Sequence, residues 1–341
     1  MEKFRIILFP LALIYAFITQ FRNWLYDRYI LPSVSFDIPV INVGNLSMGG
    51  TGKTPQIEYL IRLLQKDFKV AVVSRGYKRK TKGFIIADAS ATARIIGDEP
   101  FQIFKKFQNI IVAVGENRVH AVQKLMEIYK PDVILLDDAF QHRRISAGLN
   151  LLLTPFDKAF FKDLILPAGN LRECRSQAKR ADILMVTKSP PEISSSQKKY
   201  FFKKIKNYTD APVFFSQIKY GDKITGPKNE LSLSDIASYK VLLITGIANP
   251  EPLYSFLSEK NINFDSLKFG DHHVFSKKDI KRIKTTFEKI KNGKKLILTT
   301  EKDYVRLNPF FEENLYYLPI QTQVFENESF NKKILNYVSN K

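Results

Sequence analysis

Three features of the chain predict an α/β fold built around a largely parallel sheet. Short apolar runs alternate with helical patterns, as βαβ units require. A glycine-rich turn, Ser47-Met48-Gly49-Gly50-Thr51-Gly52-Lys53-Thr54, joins the first of these runs to a helix. A later apolar run, 133–136, delivers Asp137-Asp138 at its end. The expected organisation is an N-terminal interfacial helix over 1–31, a P-loop NTPase-type domain over 32–205, and a second, smaller α/β domain over 206–341.

The N-terminal element comes first in the chain. Residues 6–18 are almost wholly apolar, preceded by Lys3 and Arg5 and followed by Arg22, Trp24, Tyr26, Arg28 and Tyr29. No small-residue cleavage site follows, as a signal peptide would need. About thirteen apolar residues fall short of the roughly twenty that span a bilayer. Basic and aromatic flanks suit a helix lying in a membrane interface. Packing against the protein's own core is the other reading.

Strands are expected at 40–43, 69–73, 110–114, 133–136, 149–153 and 183–186. A division is expected near 190–212, where Ser189-Pro190-Pro191 precedes a serine- and lysine-rich stretch. Beyond it, 213–215, 241–245 and 296–299 read as strands, with helices near 251–259 and 277–291. Across all 341 residues, 53 Lys and Arg face 34 Asp and Glu, a net charge of +19. Such a surplus suits an anionic partner: nucleic acid, an anionic membrane or a phosphorylated small molecule. No DNA- or RNA-binding signature accompanies the charge, so no nucleic acid is expected. The single cysteine, Cys174, excludes an intrachain disulfide and a cysteine-built zinc site, and points to a reducing compartment.

The turn from Ser47 to Thr54 carries the first chemistry. Glycines let backbone N–H groups converge on phosphate oxygens, and a helix N-terminus adds a favourable dipole. In such a loop Lys53 reaches the β- and γ-phosphates of a nucleoside triphosphate, and the Thr54 hydroxyl binds Mg²⁺. Ser47 stands where the strict pattern has glycine. Asp137 and Asp138, at a strand's end, are the candidate carboxylates for the metal. Ala139-Phe140-Gln141-His142-Arg143-Arg144 adds polar and cationic groups at that edge, where open α/β sheets bind ligands.

The residues from Gly44 to Pro55 resemble the loop of the tetraacyldisaccharide 4'-kinases of lipid A synthesis, which also place a small hydroxyl residue where Ser47 stands. Ser74-Arg75-Gly76-Tyr77, Gly97-Asp98-Glu99-Pro100, Asp137 to Arg143, Leu166 to Glu173 and Asp271-His272-His273 are similar to that family's motifs, in its order. The resemblance covers most of the chain and weakens in the last third, outside Asp271-His272 and Thr300-Glu301-Lys302-Asp303. It implies Mg-ATP-dependent phosphorylation of the 4'-hydroxyl of a tetraacylated glucosamine disaccharide 1-phosphate, by a peripheral enzyme on the cytoplasmic face of the inner membrane. An anionic acylated substrate also accounts for the basic surface and the interfacial helix.

A sugar hydroxyl is a weak nucleophile and needs a base. Asp98 is the candidate, and the resemblance pairs it with His272; His273 competes for that role. Asp98 also suits a helix start before Glu99-Pro100. Arg118 and Arg172 are candidate phosphate contacts, since arginine grips phosphate oxygens bidentately. Gln141 and Asn170 join them as candidate substrate contacts on the motifs that contain them. Two rivals lack their marks. A partitioning-type ATPase places lysine where Met48 stands, and a GTP switch needs Asp where Thr187-Lys188-Ser189-Pro190 ends in proline.

Overall fold

The computed structural model describes residues 2–340 apart from His272, Asn292 and Glu312. The first eight strands in the chain all enter one sheet: β1 (Val40–Asn45), β2 (Val70–Ser74), β3 (Ile85–Ile86), β4 (Ile111–Val114), β5 (Val133–Asp137), β6 (Leu149–Pro155), β7 (Ile183–Thr187) and β8 (Val213–Tyr220). Six follow in a second sheet: β9 (Lys223–Thr225), β10 (Glu230–Ser232), β11 (Lys240–Thr245), β12 (Phe264–Lys268), β13 (Lys295–Thr300) and β14 (Leu315–Leu318). The chain then returns to the first sheet with β15 (Ile320–Val324).

The first sheet has nine strands in the order β15-β8-β7-β6-β1-β5-β2-β4-β3. Its edge strands β15 and β3 are antiparallel to their neighbours, and the strands between run parallel. Helices cover both faces, which is why β1, β2, β5 and β7 are buried throughout and read as continuous apolar runs. Ile57, Leu60, Ile61 and Leu64 of the helix Lys53–Leu64 pack on one face with Phe330, Ile334 and Val338 of the last helix, Asn327–Ser339. Val122 and Leu125 of the helix Arg118–Tyr129, and Phe201 and Ile205 of the helix Ser195–Lys206, cover the other.

Two expectations move. The division set at 205/206 does not match the sheets, because β8, β15 and the last helix belong to the nine-stranded body. The second sheet, order β10-β9-β14-β13-β11-β12, is an insertion into it. The serine- and lysine-rich stretch expected at the boundary is the helix Ser195–Lys206. Ser194 accepts a hydrogen bond from the Gln197 N–H and Gln197 bonds back, a capping box that outweighs the local polarity.

The two bodies meet through the helices Asp98–Lys106 and Glu301–Leu307. Lys106 Nζ lies 2.7 Å from Glu58 Oε2 and 2.6 Å from Glu301 Oε1. Burial, and then the neighbouring Glu58 charge, push the Glu301 carboxyl up to about 6.

Candidate active site

The parallel order brings β5 beside β1, with Val43 opposite Asp137, so the strand-end carboxylates lie against the start of the glycine-rich turn. Gly44 permits this approach. A β-carbon there would sit 2.6 Å from Phe140 Cβ. Gly52 takes a left-handed conformation at φ +87° and opens the helix Lys53–Leu64. The crest Met48-Gly49-Gly50 is exposed, whereas Ser47 and Thr51 are buried. Both flanks are pinned. The Met48 N–H donates to Asn170 O at 2.7 Å and the Arg172 N–H to Leu46 O at 2.7 Å. On the other side Thr187 Oγ1 donates to Thr51 O at 2.7 Å and Lys188 Nζ to Gly50 O at 2.6 Å.

Asn45 is the hub of the polar network. Its Oδ1 accepts from Lys53 Nζ at 3.2 Å and from Arg172, and its Nδ2 donates to the Ser47 carbonyl. Arg172 grips Asp138 bidentately at 2.8 and 3.1 Å, and Lys53 Nζ stands 3.7 Å from the same carboxylate. Burial works against the Asp138 charge, but Lys53 and Arg172 together hold its carboxyl below the usual range. Asp138 pays for this aim with a φ of +52°, rare for a residue with a side chain.

Asp137 differs. It is 2% exposed; Ser74 Oγ donates to its Oδ2 at 3.0 Å, and its Oδ1 has no hydrogen-bond partner among the described residues. Burial, then the Glu99 and Asp138 charges, push this carboxyl up to about 7. The ligand-free fold therefore binds a proton that the unfolded chain has already lost between the ordinary carboxylate range and about pH 7. Stability falls as pH rises through that window. Asp137→Asn removes the buried charge, so the ligand-free variant is expected to melt a few degrees above the parent at pH 8. The gap should narrow at pH 5, and scanning calorimetry at the two pH values checks both points.

Arg118, at the start of its helix, is 3% exposed rather than solvated. It donates to the carbonyls of Gly115 at 2.9 Å and Glu116 at 3.3 Å. Burial draws its guanidinium down to about 10 against the pull of Asp137. Gln141 and Asn170 bond to the scaffold, and Gln141 Oε1 has no partner among the described residues. Gln141 Nε2 donates to Asn45 O at 2.9 Å, and the Asn170 amide spans Asp163 and Arg5. Thr54 is the second residue of the helix that Lys53 opens, and is half-buried.

Asp98 is the first residue of the helix Asp98–Lys106, with Gly97 at the cap at φ +95°. Arg306 Nε stands 3.8 Å from Asp98 Oδ2 across the two bodies. Arg306 is itself fixed by Asp303 and by the carbonyl of His273 at 2.9 Å. His272 lies outside the described residues. His273 Nε2 is paired with Asp279 Oδ2 at 3.0 Å. Sequence reasoning passed over Asn45, Ser74, Glu99 and Arg306. Asn45, Ser74 and Glu99 lie inside the motif segments, but nothing in the sequence ties Arg306 to Asp98.

The LpxK family model, described as tetraacyldisaccharide-1-P 4'-kinase, matches residues 4–339. The chain belongs to this family. A tetraacyldisaccharide 4'-kinase of Flavobacterium psychrophilum is 50% identical over 343 residues, covering 99% of this chain and 98% of that protein. Its Flavobacterium johnsoniae counterpart is 48% identical over 341 residues, with the same coverage. A crystal structure of LpxK from Aquifex aeolicus in complex with ATP superposes with a TM-score of 0.80 at 30% identity, covering 98% of this chain and 99% of that one. As a tetraacyldisaccharide-1-P 4'-kinase the chain phosphorylates a sugar 4'-hydroxyl with ATP in lipid A biosynthesis.

The N-terminal helix packs along the segment that carries Asn170 and Arg172. Helical structure runs unbroken from Arg5 to Asp27, long and apolar enough by length and composition to cross a membrane, beyond the thirteen residues counted from sequence. Its inner face is polar and tied down along its length. Arg5 donates to Pro167 O at 3.0 Å and Asn170 Oδ1 at 2.8 Å, Tyr15 to Arg172 O at 3.1 Å, and Gln20 to Cys174 Sγ at 2.9 Å. Arg22 and Asn23 reach the fully buried Glu173, which Arg180 and Gln141 also meet. The outer face is apolar: Leu13, Ile14, Phe17, Ile18, Phe21 and Trp24 are each about half exposed or more. Of the helix Phe9–Asp27 only Ala12, Thr19 and Asn23 are buried. Packing against the protein's own core is therefore not what these outer-face residues do.

Proposed function

We propose that the kinase holds Mg-ATP on the loop from Ser47 to Thr54 and takes the acceptor proton on Asp98. In this reading it works as a peripheral protein on the cytoplasmic face of the inner membrane. The observation that carries the metal assignment is Asp137 Oδ1, a buried carboxylate oxygen with no partner among the described residues, beside the glycine-rich loop. Hard oxygen donors and an unsatisfied charge suit a magnesium ion. Asp137 and Thr54 would hold it, while Arg172 and Lys53 already engage Asp138. Bound magnesium would supply positive charge that offsets the negative charge of the phosphates. Lys53 exchanges Asn45 and Asp138 for the β- and γ-phosphates, and Arg118 and Arg172 add cationic field around the γ-phosphoryl. The transfer breaks the γ-phosphorus bond to its bridging oxygen and forms one to the 4'-oxygen. The hydroxyl proton passes to Asp98, with His272 as the partner that orients it.

The deciding experiment uses purified protein, γ-labelled ATP and detergent-dispersed tetraacyldisaccharide 1-phosphate. Label is expected on the 4' position only with magnesium present, and no lipid-dependent turnover would defeat the reading.

Membrane docking rests on the apolar outer face of the N-terminal helix. Deleting the helix would strip Arg22 and Asn23 from buried Glu173, so side-chain variants test it more cleanly. Phe17→Ser with Phe21→Ser is expected to lower partitioning onto lipid vesicles by about a hundredfold. Turnover on detergent-dispersed substrate should stay near the parent's, and unchanged partitioning would remove the helix as the anchor.

A further inference from the structure

The helix Ser195–Lys206 carries a second lipid-facing pattern, distinct in sequence from the N-terminal helix. Lys199, Tyr200, Phe202, Lys203, Lys204 and Lys206 are all exposed, while Phe201 and Ile205 alone are buried. Lys206 is paired with Asp210. Among the described residues no acidic side chain is paired with Lys199, Lys203 or Lys204; Lys204 lies over the Tyr200 ring, 5.9 Å from its centroid. Half-exposed rings flank the unpaired lysines: Tyr200 (42% exposed) also packs on Phe161, and Phe202 (44% exposed) on Phe215. They suit a bilayer interface, where rings sit at headgroup depth and ammonium groups meet lipid phosphates.

Position supports the same occupant. The segment Leu171–Arg180 lies between the two helices. On one side it receives Tyr15, Gln20, Arg22 and Asn23 of the N-terminal helix. On the other, its Leu171 and Ala178 pack in the cluster that holds Phe201 and Ile205. The ends of the helices converge too. Lys179 Nζ reaches Asp27 Oδ2 at 2.9 Å and lines a shallow cleft together with Lys206 and Tyr208.

We propose that the helix Ser195–Lys206 is a second membrane contact, selective for anionic lipid headgroups, that works beside the N-terminal helix. It rests on the membrane-surface reading above. Two contacts fix the rotation of the body on the bilayer, which one amphipathic helix leaves free. The N-terminal helix then supplies apolar depth, and the lysine helix supplies charge recognition.

The test is flotation of the full chain with phosphatidylcholine vesicles, with and without phosphatidylglycerol. The triple variant Lys199→Gln, Lys203→Gln, Lys204→Gln is expected to lose about a hundredfold in partitioning onto the mixed vesicles, from the loss of one favourable headgroup interaction per lysine. Partitioning onto phosphatidylcholine alone should be unaltered, and the parent's salt dependence should flatten in the variant. Tyr200→Ser with Phe202→Ser should instead weaken binding to both vesicle types by several-fold. Detergent-dispersed turnover and melting temperature near the parent's exclude misfolding as the cause. Two results overturn the proposal. If the triple variant binds mixed vesicles like the parent while Phe17→Ser/Phe21→Ser does not, only the N-terminal helix docks. If the parent chain binds neither vesicle type but binds duplex DNA through these lysines, the membrane reading falls with it.

Discussion

Lys53→Ala is expected to lower kcat by about three orders of magnitude in the labelled-lipid assay, the scale seen when a preorganised charge stabilising a transition state is removed. Lys53 is held ready at the opening of its helix, 3.2 Å from Asn45 Oδ1 and 3.7 Å from Asp138 Oδ1, with only 13% of its side chain exposed. That position costs little reorganisation when phosphate arrives. Removing the ammonium leaves Arg172 as the cation on Asp138 and removes the charge nearest the loop crest. The ATP dissociation constant should rise by much less than kcat falls, because the backbone cradle and its four pinning hydrogen bonds survive. Lys53→Arg should rescue poorly, since the Arg172 guanidinium already fills the space between Asn45 and Asp138. A Lys53→Ala enzyme within tenfold of the parent would remove Lys53 from phosphate binding.

Asp98→Asn is expected to lower kcat by about a hundred- to ten-thousandfold, the range assigned to a general base. The change is nearly isosteric and keeps the first position of the helix Asp98–Lys106, so ATP affinity and melting temperature should hold. The informative readout is the split between kcat and the ATP dissociation constant, since a base acts on the first alone. Normal turnover would assign Asp98 to helix initiation alone. The chain offers an internal comparison in Glu99. It is the next residue and contributes charge against Asp137, so its replacement should act on metal affinity rather than on kcat at saturating magnesium.

The sequence made much of this site legible, and particular residues show why. The turn from Ser47 to Thr54 is readable because phosphate binding requires glycines and a lysine at fixed local spacing. The parallel sheet is readable because strands buried on both faces must be apolar at every position, as in Val133–Asp137. Motif resemblance singled out Asp98, Asp137 and Arg172. It also grouped Gln141 and Asn170 with the ligand contacts, and the structure shows their side chains bonded to Asn45, Asp163 and Arg5. A motif marks residues of a site; by itself it does not separate the groups that touch a ligand from those that hold them.

What the sequence determined by itself was local chemistry: the phosphate loop, the strand-end carboxylates, the apolar N-terminal run and the basic surplus. Tertiary structure decided everything that depends on chain separation. It placed β15 and the last helix back in the first sheet, although 99 residues separate Tyr220 from Ile320. It set Arg306 3.8 Å from Asp98, and it turned the apolar side of the N-terminal helix outward by engaging the polar side with Glu173, Arg172 and Asn170. Hydrophobic periodicity records which side chains leave water. It cannot say whether they leave it for the protein's core or for a bilayer, because the transfer free energy is similar in both. The partners on the opposite face show that the outer-face residues do not leave it for the core.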